Sequence, residues 1–114
     1  MLLIKTYFKN IFPNITITTA ENGKIALEKY KNNNFDLIIT DIQMPEMSGY
    51  DLTEEIRKLD KNIPIIALTA SSIAEEKEKS FKIGINDFIT KPITQNSFKD
   101  VIQKWIDKLL ISQV

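Results

Sequence analysis

Three residues suited to phosphoryl chemistry stand at matching places along this chain: Asp41, Thr69 and Lys91. Asp41 ends the run Asp36-Leu37-Ile38-Ile39-Thr40-Asp41 and opens the loop Ile42-Gln43-Met44-Pro45-Glu46-Met47-Ser48-Gly49. Thr69 ends Ile63-Pro64-Ile65-Ile66-Ala67-Leu68-Thr69, and Lys91 follows Asp87-Phe88-Ile89-Thr90. If these runs are parallel strands, their C-terminal ends line one edge of the sheet, the edge at which open α/β sheets carry their chemistry. A carboxylate oxygen can act as nucleophile toward phosphorus and form an acyl phosphate. An ammonium can neutralise charge on the equatorial oxygens, and a hydroxyl can hydrogen-bond to one of them.

Other chemistries are excluded by what the chain lacks. It has no His, so it can hold no Ser-His-Asp triad, no His-ligated metal and no phosphohistidine. It has no Cys, so disulfides and thiolate sites are absent. Glycine occurs only at Gly23, Gly49 and Gly84, which rules out the Gly-rich phosphate loops. Fifteen basic residues balance fifteen acidic ones, leaving no electrostatic footprint for nucleic acid or an anionic membrane. No apolar run approaches the ~20 residues that span a bilayer. Met1-Leu2-Leu3-Ile4-Lys5 does not read as a signal peptide, so the expected location is the cytoplasm. At 114 residues the chain suits one domain with a single core.

The elements that must position these residues follow from periodicity. Leu3, Ile4, Tyr7, Phe8 and Ile11 recur at helical spacing, which predicts an amphipathic helix over 2–12 ended by Pro13-Asn14. Ile15-Thr16-Ile17-Thr18-Thr19 is β-branched and alternating, a strand. Glu21-Asn22-Gly23 reads as a loop before a helix marked by Ile25, Ala26, Leu27 and Tyr30 and broken at Asn32-Asn33-Asn34. Residues 36–41, 63–69 and 87–90 are the remaining strands. Ser48 caps one intervening helix, with Leu52, Ile56 and Leu59 on its apolar face, and Ser71 or Ser72 begins another that Gly84 ends. Thr94 caps a long last helix whose inner face is Phe98, Val101, Ile102, Trp105, Ile106 and Leu109. Strands alternating with helices specify parallel βαβ units, an α/β fold with helices on both faces. The runs 37–39 and 65–68 are apolar without alternation, as in covered inner strands.

The segment Ile39-Thr40-Asp41-Ile42-Gln43-Met44-Pro45-Glu46-Met47-Ser48-Gly49-Tyr50-Asp51-Leu52 resembles the phosphoacceptor segment of the receiver domains of bacterial response regulators. Ile65-Ile66-Ala67-Leu68-Thr69-Ala70 resembles their switch-threonine strand, and Gly84-Ile85-Asn86-Asp87-Phe88-Ile89-Thr90-Lys91-Pro92 their terminal strand with its aromatic switch residue. The three motifs occur in order along essentially the whole chain. The resemblance implies a CheY-like, flavodoxin-like fold and a role in two-component phosphorelay signal transduction. Asp41 would accept a phosphoryl group from a phosphohistidine on a sensor histidine kinase or a histidine phosphotransfer protein. Thr69 and Lys91 would contact that group, and the backbone N–H of Ala70 would be a further donor. Phe88 would change its burial as the switch. Mg²⁺ would be held by Asp41 and the backbone carbonyl of Gln43, and Lys91-Pro92 would be a cis peptide. The Met-Pro-x-Met-x-Gly style resembles that of receivers fused to, or fed by, hybrid sensor kinases.

The resemblance departs at the front. Receivers begin with a strand ending in an acidic pair that supplies most of the Mg²⁺ site, and the helix at 2–12 looks like the one that follows that pair. The expectation is therefore a receiver domain over 1–114 truncated at its N-terminus, with Mg²⁺ weakly held or absent. A homodimer pairing residues 36–41 or 15–19 with a second copy would compensate for the missing inner strand.

Plainer readings stand beside these. Thr69 alone is an N-cap, Lys91 a solvated loop lysine, and Phe88 a core residue. Glu75-Glu76-Lys77-Glu78-Lys79 is a solvated helix face with i,i+4 pairs. Trp105 belongs to the core, Asp36 and Asp87 act in turns, and Asp51 and Glu54 stand near a helix start. Two alternative functions remain. One is a phosphorylation-independent protein-interaction module with a degenerate Mg²⁺ site. The other is a small phosphatase-like or hydrolase enzyme with an Asp nucleophile, for which the Asp41 loop offers only Glu46 and Asp51 as a second acid.

Overall fold

The computed structural model describes residues 20, 22–33, 35–42, 47–69 and 74–112, with the side chains of 74–77 and 109–112 left aside. The helix expected at 2–12, the strand at 15–19, Gln43, Glu46, Ala70 and the helix start at Ser71 or Ser72 lie outside the described residues. Within them the chain alternates as α1 Gly23–Asn32, β1 Ile38–Asp41, α2 Gly49–Leu59, β2 Ile65–Thr69, α3 Ala74–Ile83, β3 Asp87–Thr90 and α4 Gln95–Ser112.

The three described strands form one parallel sheet in the order β1-β2-β3. Asp41 pairs with Leu68, and Leu68 pairs with Ile89, so the strand ends fall in register. Every residue of β2 is buried, which explains its continuous apolar run: as the middle strand of the three it is covered on both faces. Pro64 precedes the β2 ladder; it lacks an N–H, and its carbonyl accepts from Ile38 N–H at 3.0 Å.

Helices cover both faces, as the α/β reading requires. On one face Leu27 of α1 and Leu52 and Ile56 of α2 pack with Ile65, Ala67 and Ile85. On the other Phe98 and Ile102 of α4 pack with Ile66, Leu68 and Ile89. The described part of the expected inner face of α4 is therefore present, with Val101, Trp105 and Ile106 at its margin, while the Leu109 side chain lies outside the described residues. Among the described residues no helix is long and apolar enough to cross a membrane.

Local chemistry sets the helix ends. Ser48 Oγ accepts Asp51 N–H at 3.2 Å. Thr94 Oγ1 accepts Ser97 N–H at 3.1 Å while Ser97 Oγ accepts Thr94 N–H at 3.1 Å, a reciprocal cap. Asn22 Oδ1 accepts Ile25 N–H at 2.9 Å, so Asn22 is an N-cap and Gly23 is already helical; the loop expected at 21–23 is shorter than its composition suggested. Gly84 ends α3 at φ +123°, a backbone region that L side chains avoid.

Two clamps hold the sheet to its helices. Arg57 on α2 donates from Nε and Nη2 to Gly84 O at 3.0 and 2.7 Å, from Nη2 to Asn86 Oδ1 at 2.7 Å, and from Nη1 to Asp60 O at 3.1 Å. The second clamp joins β3 to α4. Asp87 Oδ2 accepts Trp105 Nε1–H at 2.9 Å and pairs with Lys104 Nζ at 2.7 Å, while Oδ1 accepts Phe88 N–H at 2.8 Å. Lys104 and Lys108 also lie over the Trp105 ring, 5.6 and 4.3 Å from its centroid. Asp87 thus begins a strand and binds a helix instead of serving a turn. Trp105 is half-buried at the core margin with its indole N–H satisfied.

This second clamp predicts acid sensitivity. Burial, the largest single influence on Asp87, pushes its carboxyl up, but the hydrogen bonds from Lys104, Trp105 and Phe88 N–H together hold it below the usual 3.8. Asp60 is also held low, chiefly by Asn62 N–H, and further by Ile63 N–H, the Tyr30 hydroxyl and nearby Arg57. The unfolded chain then takes up protons more readily than the folded one. The stability from these groups is complete above the unfolded carboxyl value and is lost as pH falls through the lower folded values, so below about pH 4. Urea midpoints measured across that range are expected to fall with acid, and to fall less steeply in Asp87→Asn.

Candidate functional site

The site is built by three strand ends. Asp41 is the last residue of β1, Thr69 the last of β2, and Lys91 follows the last residue of β3. Lys91 N–H donates to Thr69 O at 2.7 Å, and Ile42 N–H donates to Leu68 O at 3.3 Å, so the ladders run out to the edge itself. Lys91-Pro92 is a cis peptide, as the resemblance implied.

The lysine side chain returns over the first strand. Lys91 Nζ lies 2.9 Å from Asp41 Oδ1. The approach is short enough for a charge pair but lies off the direction a hydrogen bond requires, and this buried oxygen accepts no hydrogen bond from the described residues. The side chains of Lys91 and Asp41 are 48% and 21% exposed, although the paired Oδ1 itself is covered. Coulomb attraction across a half-exposed pair is screened, and the contact positions more than it stabilises. Thr69 is buried beside them at the end of β2. The expected carboxylate, hydroxyl and ammonium are thus assembled at one edge of the sheet.

Ile42 and Gly49, at the two ends of the loop that leaves Asp41, are tied together. Thr40 Oγ1 donates to Asp41 O at 2.9 Å, and Gly49 N–H donates to Ile42 O at 2.8 Å. A Cβ at Gly49 would collide with the Asp41 carbonyl oxygen and stand 2.9 Å from Ile42 Cα. Only glycine lets α2 start against the backbone of the acid. Thr53 Oγ1 donates to Gly49 O at 2.7 Å, fixing that first turn.

Phe88 is half-buried and packs beside the core on the face shared with α2. Its ring meets Phe81 of α3 edge-on, with centroids 5.2 Å apart at 84°. Phe81 is 52% exposed, unusual for a large aromatic. Sequence reading places Phe88 but not its partner, because Phe81 reads as part of the α3 apolar pattern. It also misses Tyr50 and Ser80, whose hydroxyls meet at 3.1 Å, and the Arg57 fork. No local signal marks these residues, since each partner is distant in the chain.

An oxygen-seeking cation fits part of this edge. The unbonded, buried Asp41 Oδ1 is a suitable hard ligand for Mg²⁺. Among the described residues no group of three or more acidic side chains gathers to complete such a site. Gln43 lies outside them.

Residues 1–103 match the family described as the response regulator receiver domain. The chain belongs to that family. This receiver domain is 35% identical to the sensor histidine kinase GacS of Pseudomonas protegens over an alignment of 118 positions, which covers 99% of the chain and 13% of that protein. It is 42% identical to hybrid signal transduction histidine kinase I of Dictyostelium discoideum over 103 positions, 82% of the chain and 6% of that protein. The receiver domain thus spans a small part of the curated relatives it matches. Its fold superposes with a TM-score of 0.81 on the receiver domain of sensor histidine kinase PA1611 from Pseudomonas aeruginosa, at 28% identity, covering 93% of this chain and 87% of that one. That structure holds a magnesium ion in its active site cleft. The doubly covered parallel sheet is accordingly the flavodoxin-like fold of receivers, and its place is in two-component signalling.

Proposed function

We propose that Asp41 is the phosphoacceptor of this receiver domain and that Lys91 and Thr69 stabilise the phosphoryl group. The observation that carries the reading is Lys91 Nζ lying 2.9 Å from an Asp41 oxygen that has no hydrogen-bond partner among the described residues, at the sheet edge where α/β folds do chemistry. The donor is a phosphohistidine on a sensor histidine kinase or a histidine phosphotransfer protein, since this chain has no His of its own. A bond forms between an Asp41 oxygen and phosphorus as the P–N bond to the partner's imidazole breaks, and the departing imidazole takes a proton from solvent. Lys91 neutralises charge accumulating on the equatorial oxygens, and the Thr69 hydroxyl donates to one of them. Little beyond positioning and charge is needed, because this transfer asks for no covalent help from the protein other than the acceptor oxygen.

Asp41 and the backbone carbonyl of Gln43 would hold Mg²⁺, which would supply further charge neutralisation. That hold would be weak on the described residues alone, which gather no group of three or more acidic side chains where an octahedral cation favours several oxygens. Asp41 is in this reading an acceptor of the chain's own, and not the nucleophile of a hydrolase. Glu46 lies outside the described residues, and Asp51 stands in the first turn of α2, after the Ser48 cap.

Incubation with acetyl phosphate and Mg²⁺ tests the proposal. The intact mass is expected to rise by one phosphoryl group, to return to its starting value with hydroxylamine, and not to rise when Mg²⁺ is chelated. A protein that stays unmodified under these conditions is instead the phosphorylation-independent interaction module.

A further inference from the structure

A second line of contacts leaves the acceptor edge without passing through Thr69. It begins at the backbone of Asp41, against which Gly49 is packed so closely that no Cβ fits. The next residue, Tyr50 in the first turn of α2, is half-buried against the core. Its hydroxyl accepts a hydrogen bond from Ser80 Oγ at 3.1 Å, and Ser80 is fully buried on α3. Lys79 Nζ lies 5.2 Å from the Tyr50 ring centroid on the same helix as Ser80. The residue after Ser80 is Phe81, half exposed, whose ring meets Phe88 edge-on at 5.2 Å.

Each joint in this line is stiff. Gly49 N–H bonds Ile42 O at 2.8 Å and Thr53 Oγ1 bonds Gly49 O at 2.7 Å, so the start of α2 follows the Asp41 backbone as one body. Tyrosine has only two side-chain torsions, and a ring gripped between core and lysine carries movement of its Cα to its hydroxyl. Ser80 has no exposed surface into which it can yield. A displacement at Tyr50 is therefore passed to the segment of α3 that carries Phe81.

We propose that Tyr50 is a positioning residue that transmits the state of Asp41 through Ser80 to Phe81, the exposed aromatic of α3. The inference rests on Asp41 being the phosphoacceptor. Phe81 would then answer to two inputs, Tyr50 through Ser80 along its helix and Phe88 through its ring. Coupling of this kind is a free energy shared by two sites, so it is lost when the connecting contact is removed even though each site stays intact.

The test follows backbone amide resonances of the full chain before and after saturation with beryllofluoride and Mg²⁺, in the wild type, Tyr50→Phe, Ser80→Ala and the double variant. Tyr50→Phe keeps the ring, its packing and the Lys79 contact and removes only the hydroxyl. In both single variants the Asp41 and Thr69 amides are expected to respond as in the wild type, while the responses at position 80 and at Phe81 fall by about threefold or more. The double variant is expected to lose no more than either single one, because each removes the same contact. A hydroxyl pair that only stabilises the fold would lower the melting temperature and leave these responses unchanged, and that result would overturn the proposal. A wild type in which Asp41 responds but Ser80 and Phe81 do not would overturn it equally. Silence at Asp41 in the wild type would instead remove the phosphoacceptor reading, and this inference with it.

Discussion

Replacing Asp41 by asparagine is expected to abolish phosphorylation by acetyl phosphate, with the phosphorylated mass species falling below detection. Asparagine preserves the size and much of the hydrogen-bonding shape of the residue, so the β1–β2 ladder at Leu68 stays intact. What it removes is the anionic carboxylate, whose Oδ1 faces Lys91 Nζ at 2.9 Å and one oxygen of which is the nucleophile. Thr69 and Lys91 cannot substitute, because neither a neutral hydroxyl nor an ammonium is a comparable nucleophile at neutral pH. Lys91→Met distinguishes acceptor from stabiliser. It removes one preorganised charge at the place where negative charge accumulates, and losses of that kind run to roughly 10²-fold in rate. Phosphorylation of Lys91→Met should therefore be slowed by about that factor yet still reach Asp41, as tandem mass spectrometry of the trapped product would show. Equal loss in both variants would mean that the lysine is needed for the fold of the edge.

The second large effect is expected far from the acceptor. Arg57→Ala should destabilise the domain by about 2–3 kcal/mol, because it withdraws charge-assisted donors from Gly84 O, Asn86 Oδ1 and Asp60 O together. Asn86 Oδ1 keeps Ile65 N–H at 2.9 Å, but Gly84 O is left facing the gap. The guanidinium also packs against Gly84, where a Cβ would stand 2.7 Å from Nε, so its removal opens space beneath the α3–β3 turn. Arg57→Lys should recover little, since one ammonium cannot reproduce a planar fork that meets two acceptors from one side. Thermal unfolding is the measurement, with an expected fall of roughly 10 °C for a domain of this size. Burial holds the Arg57 guanidinium below its usual range, but it remains charged throughout this experiment.

Both effects show how unevenly the molecule can be read from its residues. Strand β2 is legible because five consecutive positions are buried, and a strand covered on both faces must be apolar throughout. The caps at Ser48 and Thr94 are legible because a cap is satisfied within three residues of itself. Asn22 is not, since Asn before Gly equally suits a turn, and the choice is made by Leu27 finding a core to enter. Asp87 reads as a turn residue for the same reason. Its partners Lys104 and Trp105 belong to a helix that nothing near Asp87 announces.

By itself, then, the sequence determined the order of strands and helices, the parallel sheet that such an order requires, and the arrival of an acid, a hydroxyl and an amine at one edge. These follow from periodicity, capping and handed crossovers, which act over a few residues or over one βαβ unit. Tertiary structure alone decided which of those groups touch and what else they touch: Lys91 on Asp41, Tyr50 on Ser80 thirty residues away, and Arg57 on Gly84 twenty-seven residues away. Such contacts depend on the packing of whole helices against the sheet. The energy that sets that packing comes from apolar burial spread over many residues, and no local pattern records where it brings two polar atoms together.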